Sequence, residues 1–86
     1  MSEESGTSSE AIKVDRTLDA IGLYCPVPIL RTREEIEELS KGQTLEILAD
    51  DPAAEEDIVR WAKRTGNDVL SIEKKEGRMR ILVRKG

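Results

Sequence analysis

Residues 22–28 read Gly22-Leu23-Tyr24-Cys25-Pro26-Val27-Pro28, and this stretch organises the chain around it. Before Gly22 the sequence alternates between apolar and polar residues, and after Pro28 apolar residues recur at helical spacing. Proline suits the first turn of a helix, where its missing N–H would have no partner. The pattern therefore predicts a strand, a turn that carries Cys25 as a helix N-cap, and a helix that starts at Pro26.

Cys25 is the only cysteine of a chain that contains no histidine. At a helix N-terminus the macrodipole favours a thiolate. Val27 would be the main N–H donor to the sulfur, because Pro28 has no N–H, and nearby carboxylates would oppose the charge. We therefore expect a moderately activated thiol on a turn that Pro26 and Pro28 make rigid.

Two interpretations of the lone cysteine stay open at this point. An isolated cysteine is more often a small buried hydrophobic residue than a nucleophile. If Cys25 is reactive, hydrolysis of the cysteine-protease kind lacks its base, since there is no histidine. A persulfide, which extends the reactive atom by ~2 Å, suits an exposed and rigid thiol that passes sulfur on.

The length of 86 residues corresponds to one small domain. Residues 1–11 are rich in Ser and Glu without apolar periodicity, which predicts a disordered N-terminal tail and a folded domain over 12–86. The net charge of −4 argues against a non-specific nucleic-acid binder, which would be basic.

Composition also limits the compartment and the cofactors. No apolar run approaches the ~20 residues of a membrane span, and no secretory signal is visible. A single cysteine cannot form an internal disulfide, so a reducing, cytoplasmic setting is the simplest interpretation. We expect no metal and no organic cofactor, because no histidine or second cysteine exists to complete a soft metal site.

Periodicity and breaker residues predict six elements after the tail. They are a strand over 12–20, a helix from about Pro26 to Ser40 capped by Gly42, a strand over 44–49, a helix from Pro52 capped by Asp51 and Gly66, and a hairpin of 69–75 and 78–85 around Glu76-Gly77. The order β-α-β-α-β-β, with a right-handed first crossover, predicts an α/β (α+β) two-layer sandwich. Its four-stranded mixed sheet would carry both helices on one face.

Side-chain patterns add detail to this fold. The second helix carries a stripe predicted to be buried, namely Ala54, Ile58, Trp61, Ala62 and Thr65. Residues 34–38 are rich in Glu and predict an exposed helix face. In the last strand, Leu82 is an apolar exception on the polar face.

An acidic pair is expected beside the cysteine. Loops that follow parallel strands emerge at one edge of a sheet, so Asp50 and Asp51 after the second strand should lie near Cys25. On local grounds both aspartates are typical turn and cap residues, and Asp57 on the second helix is typical of a solvated charge.

At these residues the chain resembles the TusA/SirA-like family of small sulfur-carrier proteins. The resemblance covers nearly everything after Val14. It includes Asp19-x-x-Gly22-Leu23-x-Cys25-Pro26-x-Pro28, Arg31, Gly42, the strand 45–48, Asp50-Asp51-Pro52-Ala53, Asp57-Ile58, Trp61 and Gly66. One departure is Asn67, which stands where many members have a histidine.

The resemblance implies that Cys25 carries a persulfide. Its sulfur would come from a cysteine desulfurase or a rhodanese-like enzyme and pass to an acceptor protein. Uses in the family include tRNA thiolation, molybdenum-cofactor biosynthesis and dissimilatory sulfur metabolism. By position, Arg31, Asp50, Asp51 and Asp57 become candidates for orienting the cysteine or docking partners, and the resemblance implies a monomer.

Two other functions compete with a sulfur carrier. One is a regulatory or protein-binding domain whose cysteine reports redox state. The other is an RNA-binding domain, for which the last strand offers a basic stripe of Arg78, Arg80, Arg84 and Lys85. The acidic balance and the scarcity of aromatic residues weigh against RNA.

Overall fold

The computed structural model describes residues 13–86, so the predicted tail over 1–11 and Ile12 lie outside the described residues. Six elements follow in the predicted order. They are β1 (Arg16–Ala20), α1 (Val27–Glu37), β2 (Thr44–Ala49), α2 (Pro52–Thr65), β3 (Asp68–Lys75) and β4 (Arg78–Arg84).

The four strands form one mixed sheet in the order β1-β2-β4-β3. β1 and β2 run parallel, and β4 pairs antiparallel with both β2 and β3. Helix α1 packs on β1 and β2, helix α2 packs on β3 and β4, and the helices contact each other. Both helices therefore cover one face, and the predicted two-layer sandwich is confirmed.

The core lies between the sheet and the helices. Inward-facing residues of the central strands meet one stripe of α2, as period-2 and period-3.6 patterns require. The least exposed large side chains of this layer are Leu45, Ile47, Ile58, Ile81 and Val83. Trp61 packs into the same cluster as predicted, but Thr65 is exposed, and its hydroxyl donates to the Trp61 carbonyl oxygen instead.

β1 starts later than the alternating pattern predicted. Residues 13–15 are not part of the strand, which begins at Arg16. The reason lies in Asp15, whose carboxylate accepts the Thr44 N–H at 2.9 Å. A side-chain acceptor thus takes the place of a main-chain acceptor at the start of the β1–β2 ladder.

Helix α1 is also shorter than predicted. It ends at Glu37, and the N–H groups of Glu38 and Leu39 donate to carbonyl oxygens three residues back, at 3.1 and 3.0 Å. Gly42 is therefore not its cap. Its positive φ of 91° belongs to the turn that leads into β2, where its N–H donates to the Lys85 carbonyl oxygen.

The face of α1 that packs inward is not purely apolar. The buried residues are Pro28, Thr32 and Ile36, spaced four residues apart. Because that spacing defines the inner stripe, Ile29 is only partly buried and Leu30 is 46% exposed. The buried Thr32 satisfies its hydroxyl locally by donating to the Pro28 carbonyl oxygen at 2.8 Å.

The sheet face away from the helices carries paired charges. Arg80 of β4 is bonded to Glu46 of β2 and lies 3.4 Å from Glu73 of β3, while Arg84 pairs with Asp68 at 3.1 Å. Leu82, the apolar exception on this strand, is fully buried among its neighbours. Within residues 13–86 no helix is long and apolar enough to cross a membrane.

Candidate functional site

The parallel pair β1–β2 brings the cysteine turn and the acidic pair to one edge. Ala20 and Ala49, the last residues of the two strands, are register partners. The chain leaves β1 into the turn that carries Cys25 and leaves β2 into Asp50 and Asp51. The predicted neighbourhood of thiol and carboxylates is therefore present in the structure.

Asp51 holds two segments at once. It is the N-cap of α2, as predicted, with extended dihedrals and a carboxylate oxygen that accepts the Ala53 N–H at 3.1 Å. Its second oxygen accepts the main-chain N–H of Cys25 at 2.9 Å. One carboxylate therefore caps the second helix and fixes the backbone of the cysteine turn.

Asp50 supports the same turn at a different point. Its Oδ1 accepts the Gly22 N–H at 3.0 Å. Asp19, at the end of β1, accepts the Ile21 N–H at 3.0 Å. The Asp50 carboxylate is thus bonded to the backbone of the loop that carries Cys25.

The predicted N-cap role of Cys25 is wrong. The N-cap of α1 is Pro26, without a side-chain capping bond, and the Cys25–Pro26 peptide bond is cis. The Val27 N–H, expected to reach the sulfur, donates to the Tyr24 carbonyl oxygen at 2.8 Å instead. A local hydrogen-bonded turn thus uses the donor that sequence reasoning had assigned to the thiol.

The thiol instead contacts the second helix. Cys25 is exposed and free, and its Sγ donates to Asp57 Oδ2 at 3.0 Å. The other carboxylate oxygen of Asp57 lies 3.8 Å from Arg60 Nη1. Asp57 is therefore not a fully solvated charge, and the turn of Cys25 is held by α2 at both its backbone and its sulfur.

These contacts reverse the predicted effect on the thiol. The hydrogen bond to Asp57 raises the pKa of the Cys25 thiol above its ordinary value. Smaller contributions in the same direction come from desolvation and from the negative charges of Asp57 and Asp51. Carboxylates next to a thiol disfavour the thiolate, so these neighbours act in the direction opposite to the expected activation.

Large apolar side chains are exposed on the cysteine turn and at the start of α1. Tyr24 is 72% exposed, Leu30 is 46% exposed and Val27 is 36% exposed. Arg31, the charged candidate on α1, is also exposed. Sequence reasoning did not single out Tyr24 or Leu30 as surface residues. In α1, Pro28 and Thr32 lie four residues apart on the buried side, and Leu30, midway between them, lies on the outer side.

Asn67 lies far from this site. It follows α2, whose 14 residues span about 20 Å from the Asp51 end. Its side-chain amide donates to Thr65 and accepts the Gly86 N–H at 2.9 Å. Asn67, the residue that stands in place of histidine, therefore lies at the opposite end of α2 from Cys25.

Fold and site together define a class of small α+β domain that presents one exposed cysteine where two parallel strands end. The family model described as "Sulfurtransferase TusA" matches residues 16–85, which includes every site residue discussed above. The chain therefore belongs to the TusA family.

Individual relatives agree with this assignment. The chain is 39% identical over 71 residues to "Sulfur carrier protein TusA" of Allochromatium vinosum, a match that covers 83% of this chain and 93% of the relative. It is 42% identical over 76 residues to a protein of Aquifex aeolicus named "Putative sulfur carrier protein". That match covers 88% of this chain but only 39% of the longer Aquifex protein.

A solved structure supports the fold independently. The crystal structure of a SirA-like protein from Desulfitobacterium hafniense superposes with a TM-score of 0.74 at 26% sequence identity. The superposition covers 83% of this chain and 97% of that chain. The family resemblance drawn from the cysteine motif is thereby confirmed.

Proposed function

We propose that this protein carries sulfur as a persulfide on Cys25 between protein partners. The observation that carries the proposal is the position of the chain's only thiol. It is exposed at the end of the parallel strands and fixed by hydrogen bonds at its backbone and its sulfur. Membership of the TusA family and the printed names of the relatives support the same role.

The transfer is a thiol–persulfide exchange. The sulfur of Cys25 attacks the outer sulfur of a donor persulfide, a new S–S bond forms at Sγ, and the S–S bond of the donor breaks. The donor leaves as a thiol, so no external oxidant or reductant is required. Delivery repeats the exchange with the acceptor's thiol as the nucleophile, which regenerates Cys25.

We infer that the donor is a cysteine desulfurase or a rhodanese-like enzyme and that the acceptor is another protein. The exposed apolar residues of the cysteine turn and the start of α1 suit transient contact with a protein surface; they are Tyr24, Val27 and Leu30. Thiolation of tRNA, cofactor biosynthesis and sulfur metabolism are the pathways that such a carrier serves. An exposed free thiol suits a reducing compartment, and we propose the cytoplasm.

The two competing functions find less support. Redox-sensing cysteines have low pKa values, whereas the carboxylates beside Cys25 raise the pKa of its thiol. In the basic stripe that suggested RNA binding, two of the four cations are paired with acidic residues of neighbouring strands, namely Arg80 and Arg84.

Intact-mass spectrometry tests the proposal. After incubation with a cysteine desulfurase and free cysteine, the wild-type chain should gain one sulfur atom that a thiol reductant removes. The Cys25→Ser variant should keep its fold and gain no sulfur. An adduct that survives this substitution, or a wild-type chain that no persulfide donor can load, would overturn the function.

A further inference from the structure

Asp57 is placed to act on the proton of the thiol as well as on its position. Its Oδ2 accepts the hydrogen bond from Cys25 Sγ at 3.0 Å, and its Oδ1 faces Arg60. The side chain is 27% exposed, so the carboxylate is partly shielded from water while one oxygen remains on the thiol. The two oxygens therefore serve different partners.

The two aspartates that follow β2 are bonded to main-chain N–H groups. Asp51, the N-cap of α2, uses its two oxygens for the N–H groups of Ala53 and Cys25. Asp50, at the end of β2, is bonded to Gly22. Within residues 13–86, Asp57 is the only titratable side chain that hydrogen-bonds the sulfur.

The resting thiol requires such a group. The neighbouring carboxylates raise its pKa, so at neutral pH it is protonated and must lose its proton as it attacks. The chain contains no histidine that could accept this proton. A positioned carboxylate within hydrogen-bond distance meets the geometric requirement for a general base.

We propose that Asp57 accepts the proton of Cys25 as the thiol attacks the outer sulfur of a donor persulfide, an inference that rests on the function proposed above. The S–H bond of Cys25 breaks, its electron pair forms the new bond to sulfur, and the proton moves to Oδ2. The donor's S–S bond breaks with its electron pair on the leaving thiolate. That thiolate takes up the proton from Asp57, so the carboxylate is regenerated.

The Asp57→Asn variant separates proton transfer from simple restraint. Asparagine keeps the size of the side chain but cannot accept the proton. Without the negative charge, the pH midpoint of alkylation by iodoacetamide should move to lower pH. Loading from glutathione persulfide at neutral pH should nevertheless fall at least about tenfold, although more of the thiol is ionised. A small-molecule donor keeps partner docking out of this measurement.

Two further comparisons control the experiment. Glu56→Gln removes one charge from the adjacent, exposed position of α2 and should match the wild type in both measurements. Should Asp57→Asn fail to fold by circular dichroism, the length-matched pair Asp57→Glu and Asp57→Gln replaces it. The Glu variant should then load at least about tenfold faster than the Gln variant.

Three results would overturn the inference. Loading that rises in proportion to the thiolate fraction in Asp57→Asn would make Asp57 a restraint only, and loading at the wild-type rate would remove any role in the step. In both cases the wild type still loads, so the carrier function stands while the role of Asp57 fails. A wild-type chain that takes up no sulfur overturns both together.

Discussion

The main-chain N–H of Cys25 donates to Asp51 Oδ2 at 2.9 Å, across 26 residues of sequence. Because Asp51 also caps α2, the start of one helix and the position of the cysteine turn depend on a single carboxylate. This double use explains how an exposed thiol is held in a domain with a small core. It also makes Asp51 the residue whose loss should affect stability and the site together.

Replacing Asp51 by alanine should lower the free energy of unfolding by about 1–2 kcal/mol, because an N-cap and a loop hydrogen bond are lost. Urea denaturation measures this cost, and amide exchange at Cys25 should accelerate in parallel. Asp51→Asn, which keeps a capping oxygen, should be milder. Unchanged exchange at Cys25 in Asp51→Ala would contradict the shared role.

Replacing Pro28 by alanine should leave the pH midpoint of Cys25 alkylation unchanged. Because Cys25 is not the N-cap, a new N–H at position 28 has no sulfur to reach. Stability should fall by roughly 1 kcal/mol, since Pro28 is buried and restricts the unfolded chain. Pro52→Ala, at the exposed first position of α2, is the matched control. An alkylation midpoint that moves to lower pH would show that position 28 does contact the thiol.

Replacing Glu46 by glutamine should lower the free energy of unfolding by about 1 kcal/mol at neutral pH. The hydrogen bond from Arg80 lowers the pKa of Glu46, so this stabilisation is present above the unfolded-state pKa of about 4.3. It is lost as the pH falls through the still lower folded-state value. Urea denaturation should therefore show a difference in the free energy of unfolding between variant and wild type that disappears in acid. A difference of equal size at all pH values would refute the ionic contribution.

Replacing Tyr24 by alanine should change stability by less than about 0.5 kcal/mol, because the side chain is 72% exposed. Sulfur uptake from a desulfurase should slow several-fold, because the exposed Tyr24 ring is then missing from the surface that contacts the partner. Uptake from glutathione persulfide, which needs no docking, should stay at the wild-type rate and serves as the control. If sulfur uptake slowed equally with both donors, Tyr24 would act on the reactivity of the thiol itself and not on partner docking.

The layout of the fold could be predicted from sequence because its signals are local. The Asp51-Pro52 start and the Gly66 end of α2 are encoded within a few residues, and Gly66 takes the left-handed conformation, with φ of 80°, that a helix end favours. The bounds of β1 and α1 were less accurate. Asp15 replaces a strand acceptor with its side chain, and the inner stripe of α1 passes through the polar Thr32.

The chemistry of the site was less predictable because its contacts are non-local. Cys25 and Asp57 were both visible as candidates, but their hydrogen bond depends on the packing of α2 beside the turn. Local reasoning placed the sulfur at a helix N-terminus and expected activation. The structure pairs it with a carboxylate, and the direction of the pKa change is the opposite.

The register of the parallel strands determines where the loop that carries Cys25 lies relative to the loop that carries Asp51. The turn of Cys25 follows β1, and Asp51, which accepts the main-chain N–H of Cys25, follows β2, with Ala20 opposite Ala49. A slip of one residue would shift the two loops by ~3.3 Å, more than this hydrogen bond tolerates. The bond from Cys25 to Asp51, and with it the position of the thiol beside Asp57, therefore depends on the alignment of β1 with β2.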